Sequence, residues 1–184
     1  MDSNSIYSGV VTLLSRVGNK TVATKHYNHG TNRLFEAYAR ALAGQSINNY
    51  IPRYIHVFGE YNGNEIGVCK TPIPLLVSYK SADADGGNYG APYLRTSTVL
   101  TKGMLKDISS GWGDTFVLRL YNAVNPIDAT EPATDTMLAE VSIEGLKEAI
   151  SNMTPGVQLI LLWDLYVTNK PDEEPTEPEE GEEE

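Results

Sequence analysis

The apolar stretch at residues 157–167 alternates in the way that is typical of a β-strand. Every odd position is large and apolar, while the even positions mix polar and apolar residues. Odd positions of a strand share one face, so the stretch predicts a core strand that is paired on both edges, with Trp163 inside. Asp164 then falls on the other face. There it meets solvent or a basic partner such as Arg119, because a lone buried charge is too costly.

Similar runs predict the other strands of the chain. In order, the predicted strands cover residues 6–15, 20–27, 53–59, 75–80, 93–102, 114–123, 136–142 and 157–167. Two long loops at 81–92 and 124–135 and a helical turn at 143–151 are also expected. Pro72 and Pro74 bracket the start of one strand and predict that it lies at a sheet edge, since proline cannot donate to a ladder.

Between the second and third strands the apolar period changes to that of a helix. The apolar positions are Leu34, Ala37, Tyr38, Ala41 and Leu42. This spacing places them on one stripe, and we expect Leu34, Tyr38 and Leu42 to be mostly buried in the core. Thr31 or Asn32 can cap the start, and Gly44 can end the helix in the left-handed conformation. Glu36 and Arg40 are four apart and form an outward ion pair.

The order of these elements predicts a mainly β fold. Strands that are not interleaved with helices favour antiparallel pairing, so we expect an antiparallel β-sandwich with one α-helix inserted after the second strand. A partly open barrel is the alternative. The length of 184 residues suits one domain.

Charge divides the chain into a body and a tail. Residues 171–184 hold nine acidic residues and no basic one. Taking these nine charges from the formal net charge of −10 leaves −1 on residues 1–170. We therefore expect residues 1–170 to form a single β-rich domain and residues 171–184 to be a disordered acidic C-terminal tail.

Composition also narrows the class of partner. A nearly neutral body offers no basic patch for nucleic acid. No apolar run approaches the ~20 residues of a membrane span, and the polar N-terminus is unlike a signal peptide, so we expect no membrane partner. Cys69 is the single cysteine, which rules out an intrachain disulfide and fits a reducing cytoplasm.

Metal-binding and calcium-loop patterns are incomplete. His26 and His29 are three apart and would need His56, Cys69 or a carboxylate as a third ligand, but no four-ligand pattern is present. His29 is better explained as part of the turn before the helix. The acidic run 83–88 fails the EF-hand pattern, because its fifth and twelfth positions are not oxygen ligands. We predict no metal and no cofactor.

Catalytic signatures are also weak. Glu60 and Glu65 place two carboxylates in a Gly-rich segment, as a glycosidase could use, but such surface acids are usually only solvated. There is no nucleophile elbow, and Cys69 carries no signature of activation. We predict no catalytic residue and no enzymatic activity.

Short segments along the chain are similar to a pattern in bacteriophage virion proteins of the tail-collar-fibre kind. The segments are Asn28-His29-Gly30-Thr31, Leu34-Phe35, Ala41-Leu42-Ala43-Gly44, Pro52-Arg53-Tyr54-Ile55, Met137-Leu138-Ala139-Glu140-Val141 and Leu161-Leu162-Trp163-Asp164-Leu165-Tyr166-Val167-Thr168-Asn169. The chain departs from that pattern at Phe58-Gly59-Glu60, where a G-x-G turn is usual. The resemblance implies a non-enzymatic structural subunit of the tail, neck, baseplate or fibre-attachment region.

The resemblance also implies partners and a location. We expect contacts with other virion proteins, a homo-oligomer, no small-molecule substrate, and a place in the virion after assembly in the host cytoplasm. An interface of at least about 800 Å² per partner should draw on the two long loops and on the eleven tyrosines.

The alternative function is a monomeric carbohydrate-binding β-sandwich that displays Tyr121, Trp112 or Trp163 on an exposed face.

Overall fold

The computed structural model describes most of the chain and contains two antiparallel sheets. The described residues are 7–17, 20–29, 32–81, 92–108, 111–123, 136–143, 145–154 and 157–167. The acidic tail and nearly all of the two long loops therefore lie outside the described residues, and the predictions about them stay predictions.

Ten strands and two α-helices are found in the described part of the chain. The elements are β1 Tyr7–Val17, β2 Lys20–His29, α1 Asn32–Leu42, β3 Tyr54–Tyr61, β4 Asn64–Gly67, β5 Ile73–Pro74, β6 Leu76–Lys80, β7 Tyr93–Thr101, β8 Trp112–Tyr121, β9 Met137–Ile143, α2 Leu146–Ser151 and β10 Gln158–Val167. Short 3-10 turns cover Asn48–Tyr50 and Lys102–Met104. Neither α-helix combines the length and the apolar character that a membrane crossing requires.

The strands form two sheets that pack against each other. Sheet A has the order β2-β1-β10-β7-β6, and sheet B has the order β4-β3-β8-β9 with β5 beside β3. Every pairing is antiparallel. The described strands form no closed barrel, and the helix α1 follows the second strand. The prediction of an antiparallel β-sandwich with one inserted helix is confirmed.

The core lies between the inner faces of the two sheets. From sheet A it receives alternate residues of β10, which are Leu159, Leu161, Trp163 and Leu165, all buried. From sheet B it receives buried residues such as Ile55, Val57, Phe116, Leu118 and Leu120. Burial of one Trp ring removes roughly 150–250 Å² from water, so this layer stabilises the sandwich strongly. The prediction that β10 is an internal strand with Trp163 inside is confirmed, because β1 and β7 pair with its two edges.

Two predictions about single features need correction or addition. Asp164 pairs with Arg95 and not with Arg119: Arg95 Nε and Nη2 each donate a 2.7 Å hydrogen bond to its carboxylate. The physical reason is register, since Arg95 lies directly opposite Asp164 across β7 and β10, whereas Arg119 lies in sheet B. The prediction lacks two strands, the short β5 beside β3 and β4, which forms a hairpin with β3 through Asn62 and Gly63, both at positive φ.

Candidate interaction surfaces

Helix α1 carries an apolar stripe that lies at the surface instead of in the core. The stripe comprises Leu34, Ala37, Tyr38, Ala41 and Leu42 and is called the helix stripe below. Tyr38 is 46% exposed and Leu42 is 73% exposed, and no residue of α1 is fully buried. The expectation that Tyr38 and Leu42 are mostly buried is therefore wrong. Leu34 packs against the core and Ala37 is half-buried, so the exposed part of the stripe is Tyr38, Ala41 and Leu42.

Polar and cation–π contacts anchor α1 where apolar burial does not. The Tyr50 ring lies 4.9 Å from the Arg33 guanidinium and 5.5 Å from that of Arg40. The Tyr50 hydroxyl donates a 2.5 Å hydrogen bond to Glu36, which also pairs with Arg40 at 2.8 Å as predicted. Hydrogen bonds from Tyr50 and then Arg40 lower the pKa of the Glu36 carboxyl. The helix ends at Leu42, and Gly44 just beyond it has a φ of +70°, which confirms the predicted left-handed end. These contacts fix the orientation of the helix while Leu42 stays in water.

The second exposed surface is the edge strand β6. Leu76 and Tyr79 are 77% and 73% exposed, and no described strand pairs with the far edge of β6. The edge position confirms the prediction made from Pro72 and Pro74. Tyr79 nevertheless lies on the core-facing side of sheet A, since it is opposite Leu94, which in turn is opposite Leu165. Sheet A therefore extends beyond the part that sheet B covers.

Arg119 organises a charged cluster on the outer face of sheet B. Its guanidinium binds Glu65 through hydrogen bonds of 2.6 and 3.0 Å and also binds Glu140. It lies 4.6 Å over the Phe58 ring. Burial opposes the charge of Arg119, but the hydrogen bonds with the two carboxylates outweigh it and raise its pKa. The cluster joins β4, β8 and β9. Because two carboxylates already bind the guanidinium of Arg119, its charge is not available to a ligand.

The candidate carboxylate pair borders a shallow cleft. Glu60 and Glu65 lie directly opposite each other in the β3–β4 hairpin. Together with Gly59, Gly63, Thr115 and Val117 they line an open cleft of about 330 Å³. Since Glu65 is held by Arg119 and Glu60 is exposed, the pair has the environment of a solvated ion cluster.

The histidines and the cysteine are distributed over both sheets. His26 and His29 lie in β2 of sheet A, and their side chains are outside what the structure describes. His56 lies in β3 of sheet B, where its buried ring donates through Nε2 to the carbonyl of Cys69 at 3.2 Å. Burial raises the pKa of the Cys69 thiol to about 12, which makes it unreactive. Within the described ranges, no three His, Cys, Asp or Glu residues come together as metal ligands. The acidic run 83–88 lies outside them.

The aromatic residues named for carbohydrate binding do not form an exposed platform. Trp112, Trp163 and Tyr121 are all buried, at 8%, 0% and 4% exposure. Trp112 packs against Tyr61 and Phe116 inside the sandwich. Of the tyrosines whose burial the structure describes, Tyr93 and Tyr121 are buried, most others are half-buried, and Tyr38 and Tyr79 form an exposed group. The exposed group lies on the two apolar surfaces described above.

Sequence reasoning identified the residues of both surfaces without identifying their role. The apolar spacing predicts that the helix stripe belongs to the core, and Pro72 and Pro74 predict only that β6 is an edge strand. The sequence signal for an interaction surface at β6 is its composition. This edge strand holds three apolar residues, Leu76, Val77 and Tyr79, and its single charge is Lys80. Natural edges usually carry more protection than this.

Comparisons of the chain with protein-family models, with curated proteins and with solved structures found no match in any of the three.

Proposed function

We propose that this chain is a non-enzymatic structural subunit of a bacteriophage virion, in the tail, neck, baseplate or fibre-attachment region. It acts through protein–protein contacts, in a homo-oligomer and with other virion proteins. The observation that carries the proposal is the helix stripe, which is fixed in orientation and yet exposed at Leu42.

The free energy of solvation supports a docking role for this helix. Removing a Leu side chain from water stabilises a protein by roughly 1.5–3 kcal/mol, and Leu42 gains little of this in the free chain. A helix held only by packing would turn its stripe inward. Tyr50 contacts α1 through Arg33 and Arg40, and these contacts support an outward presentation of the stripe. Amphipathic helices of this kind dock into apolar grooves of partner proteins.

The segments that resemble virion proteins support the same proposal. Two of them, residues 34–35 and 41–44, lie in or directly after α1, and another begins β3. The segment 161–169 begins within the central strand β10. In this proposal the motif residues of α1 belong to the docking surface, while those of β10 belong to the core.

The test is a mass measurement at micromolar concentration, by light scattering or sedimentation, for the chain alone and mixed with candidate neighbouring virion proteins. We expect assemblies larger than one chain. Combining Tyr38→Lys with Leu42→Lys should shift the mass towards the monomer, because two charges on the stripe must then be desolvated on docking. Ser151→Lys, at an exposed end of α2, is the matched control and should leave assembly unchanged. A wild-type chain that stays monomeric in every mixture would refute the proposal.

A further inference from the structure

The inner rows of sheet A run outward from the core to an exposed edge. In one row Val11, Trp163, Thr96 and Val77 lie side by side across β1, β10, β7 and β6. Their exposures are 0%, 0%, 0% and 37%. The next row ends at Tyr79, which is 73% exposed. Each row thus ends in an apolar side chain that sheet B does not pack against.

The edge itself has little of the protection that natural edge strands carry. Charged side chains, prolines and bulges normally keep such edges from pairing. The register between β6 and β7 runs from Leu76 to Lys80 without a shift, so no bulge interrupts it. The one charge in β6 is Lys80, at its end, and the prolines at 72 and 74 precede the strand. Within the described strands, three apolar residues therefore lie along a row of backbone donors and acceptors that no strand pairs with.

We propose that β6 pairs antiparallel with β6 of a second copy of this chain, across a two-fold axis at Ser78, so that two copies of sheet A become one continuous sheet. This goes beyond the proposed function, which rests on the helix stripe and does not assign a role to β6. The interface is isologous, since each copy gives and receives the same contacts.

The sequence of β6 is complementary to itself in this register and not in a parallel one. On the inner face Val77 lies opposite the partner's Tyr79, and this is a favourable pairing of a β-branched with an aromatic residue. On the outer face Leu76 lies opposite the partner's Lys80, whose methylene stem covers it. The two Lys80 charges stand about 13 Å apart at opposite ends of the pair, whereas parallel strands would place them side by side. These features favour a second copy over an unrelated strand.

A cysteine at the symmetry axis tests the register directly. Directly opposite residues in an antiparallel pair have Cα atoms about 4.5–5.5 Å apart, which is within reach of a disulfide. Ser78→Cys should therefore give a covalent dimer under mild oxidation with diamide, scored on non-reducing gels across the micromolar range. Ser142→Cys, exposed on β9, and Lys80→Cys, displaced from the axis, should link far more slowly. The unsubstituted chain should show no dimer, because Cys69 is buried.

A second substitution separates pairing from chance collision. Adding Tyr79→Lys to Ser78→Cys should suppress the covalent dimer, since two unpaired cations would then enter the joint inner face. Tyr79 is largely exposed, so its replacement leaves the fold intact, which the far-UV circular dichroism and the melting temperature will show. A Ser78→Cys dimer that forms no faster than the Ser142→Cys dimer, or that survives Tyr79→Lys, overturns the pairing of β6.

Sedimentation of Ser78→Cys and of Leu42→Lys, here used as a single substitution in the helix stripe, distinguishes this proposal from the proposed function. If Leu42→Lys reduces assembly while Ser78→Cys fails to crosslink, the helix stripe docks and the β6 pairing is wrong. If Ser78→Cys crosslinks and Leu42→Lys has no effect, β6 pairs and the helix proposal is wrong. Capture of a strand from a different protein by β6, without a Ser78→Cys dimer, also overturns the second-copy pairing.

Discussion

Asp164 is a carboxylate that is 1% exposed on the outer face of sheet A, and Arg95 is the cation that balances it. Both hydrogen bonds of the pair are 2.7 Å, and the Arg95 side chain is itself only 15% exposed. Water therefore cannot take the place of the guanidinium easily. The guanidinium also lies 5.4 Å from the ring of Tyr93. The ion pair and its aromatic neighbour tie β7 to β10 at the centre of the sheet.

Arg95→Ala should lower the free energy of unfolding by about 3–5 kcal/mol, because it leaves the Asp164 charge buried without its cation. Urea denaturation measures the loss. The control is Arg119→Ala, whose partners Glu65 and Glu140 are about half exposed and rehydrate readily; its loss should be about 1 kcal/mol. Replacing both members of the pair, as Arg95→Met with Asp164→Leu, should restore much of the stability. Equal losses for the two Ala variants would contradict this account.

At the scale of single elements, the sequence predicts eight of the ten described strands, but it does not predict which side chains pair across them or whether the helix stripe is buried. The alternation in β10 specified its two faces, because a period of two leaves no other arrangement. The partner of Asp164 was missed because strand order decides it, and Arg95 is 69 residues away in the chain. β4 could have been predicted, since Asn62-Gly63 is a strong hairpin signal. The exposure of the helix stripe could not have been predicted. An apolar stripe shows that one face of the helix favours apolar contacts, but it does not show whether those contacts come from the same chain or from a partner.

Leu42→Ala should change the free energy of unfolding of the isolated chain by about 0.5 kcal/mol or less, because Leu42 has little buried surface to lose. Leu118→Ala, at a fully buried position in β8, should cost about 2–5 kcal/mol in the same urea titration. The measurement should be made at concentrations where the chain is monomeric. A large loss for Leu42→Ala under those conditions would mean that the helix stripe is part of the core after all.

At the scale of the whole molecule, the body and the acidic tail should behave as separate parts. We expect deletion of residues 171–184 to leave the melting temperature nearly unchanged, since nine like charges and four prolines or glycines bury no apolar surface. Trp163→Ala should instead cost about 3–5 kcal/mol, because Trp163 is fully buried among the inner residues of β10. Thermal melting of both variants decides the matter. A tail deletion as destabilising as Trp163→Ala would show that the tail belongs to the folded domain.

The position of β10 in sheet A has a consequence for the order in which the molecule is made. β10 lies between β1 and β7, and its pairing with β1 joins Tyr7 to Val167. At a synthesis rate of about 5–20 residues per second, β1 leaves the ribosome roughly 8–30 s before β10. Sheet B can assemble during that interval, since all of its strands precede β10. Sheet A remains in two halves, β2–β1 and β7–β6, until β10 inserts between them, and the burial of the Trp163 indole marks that final closing step.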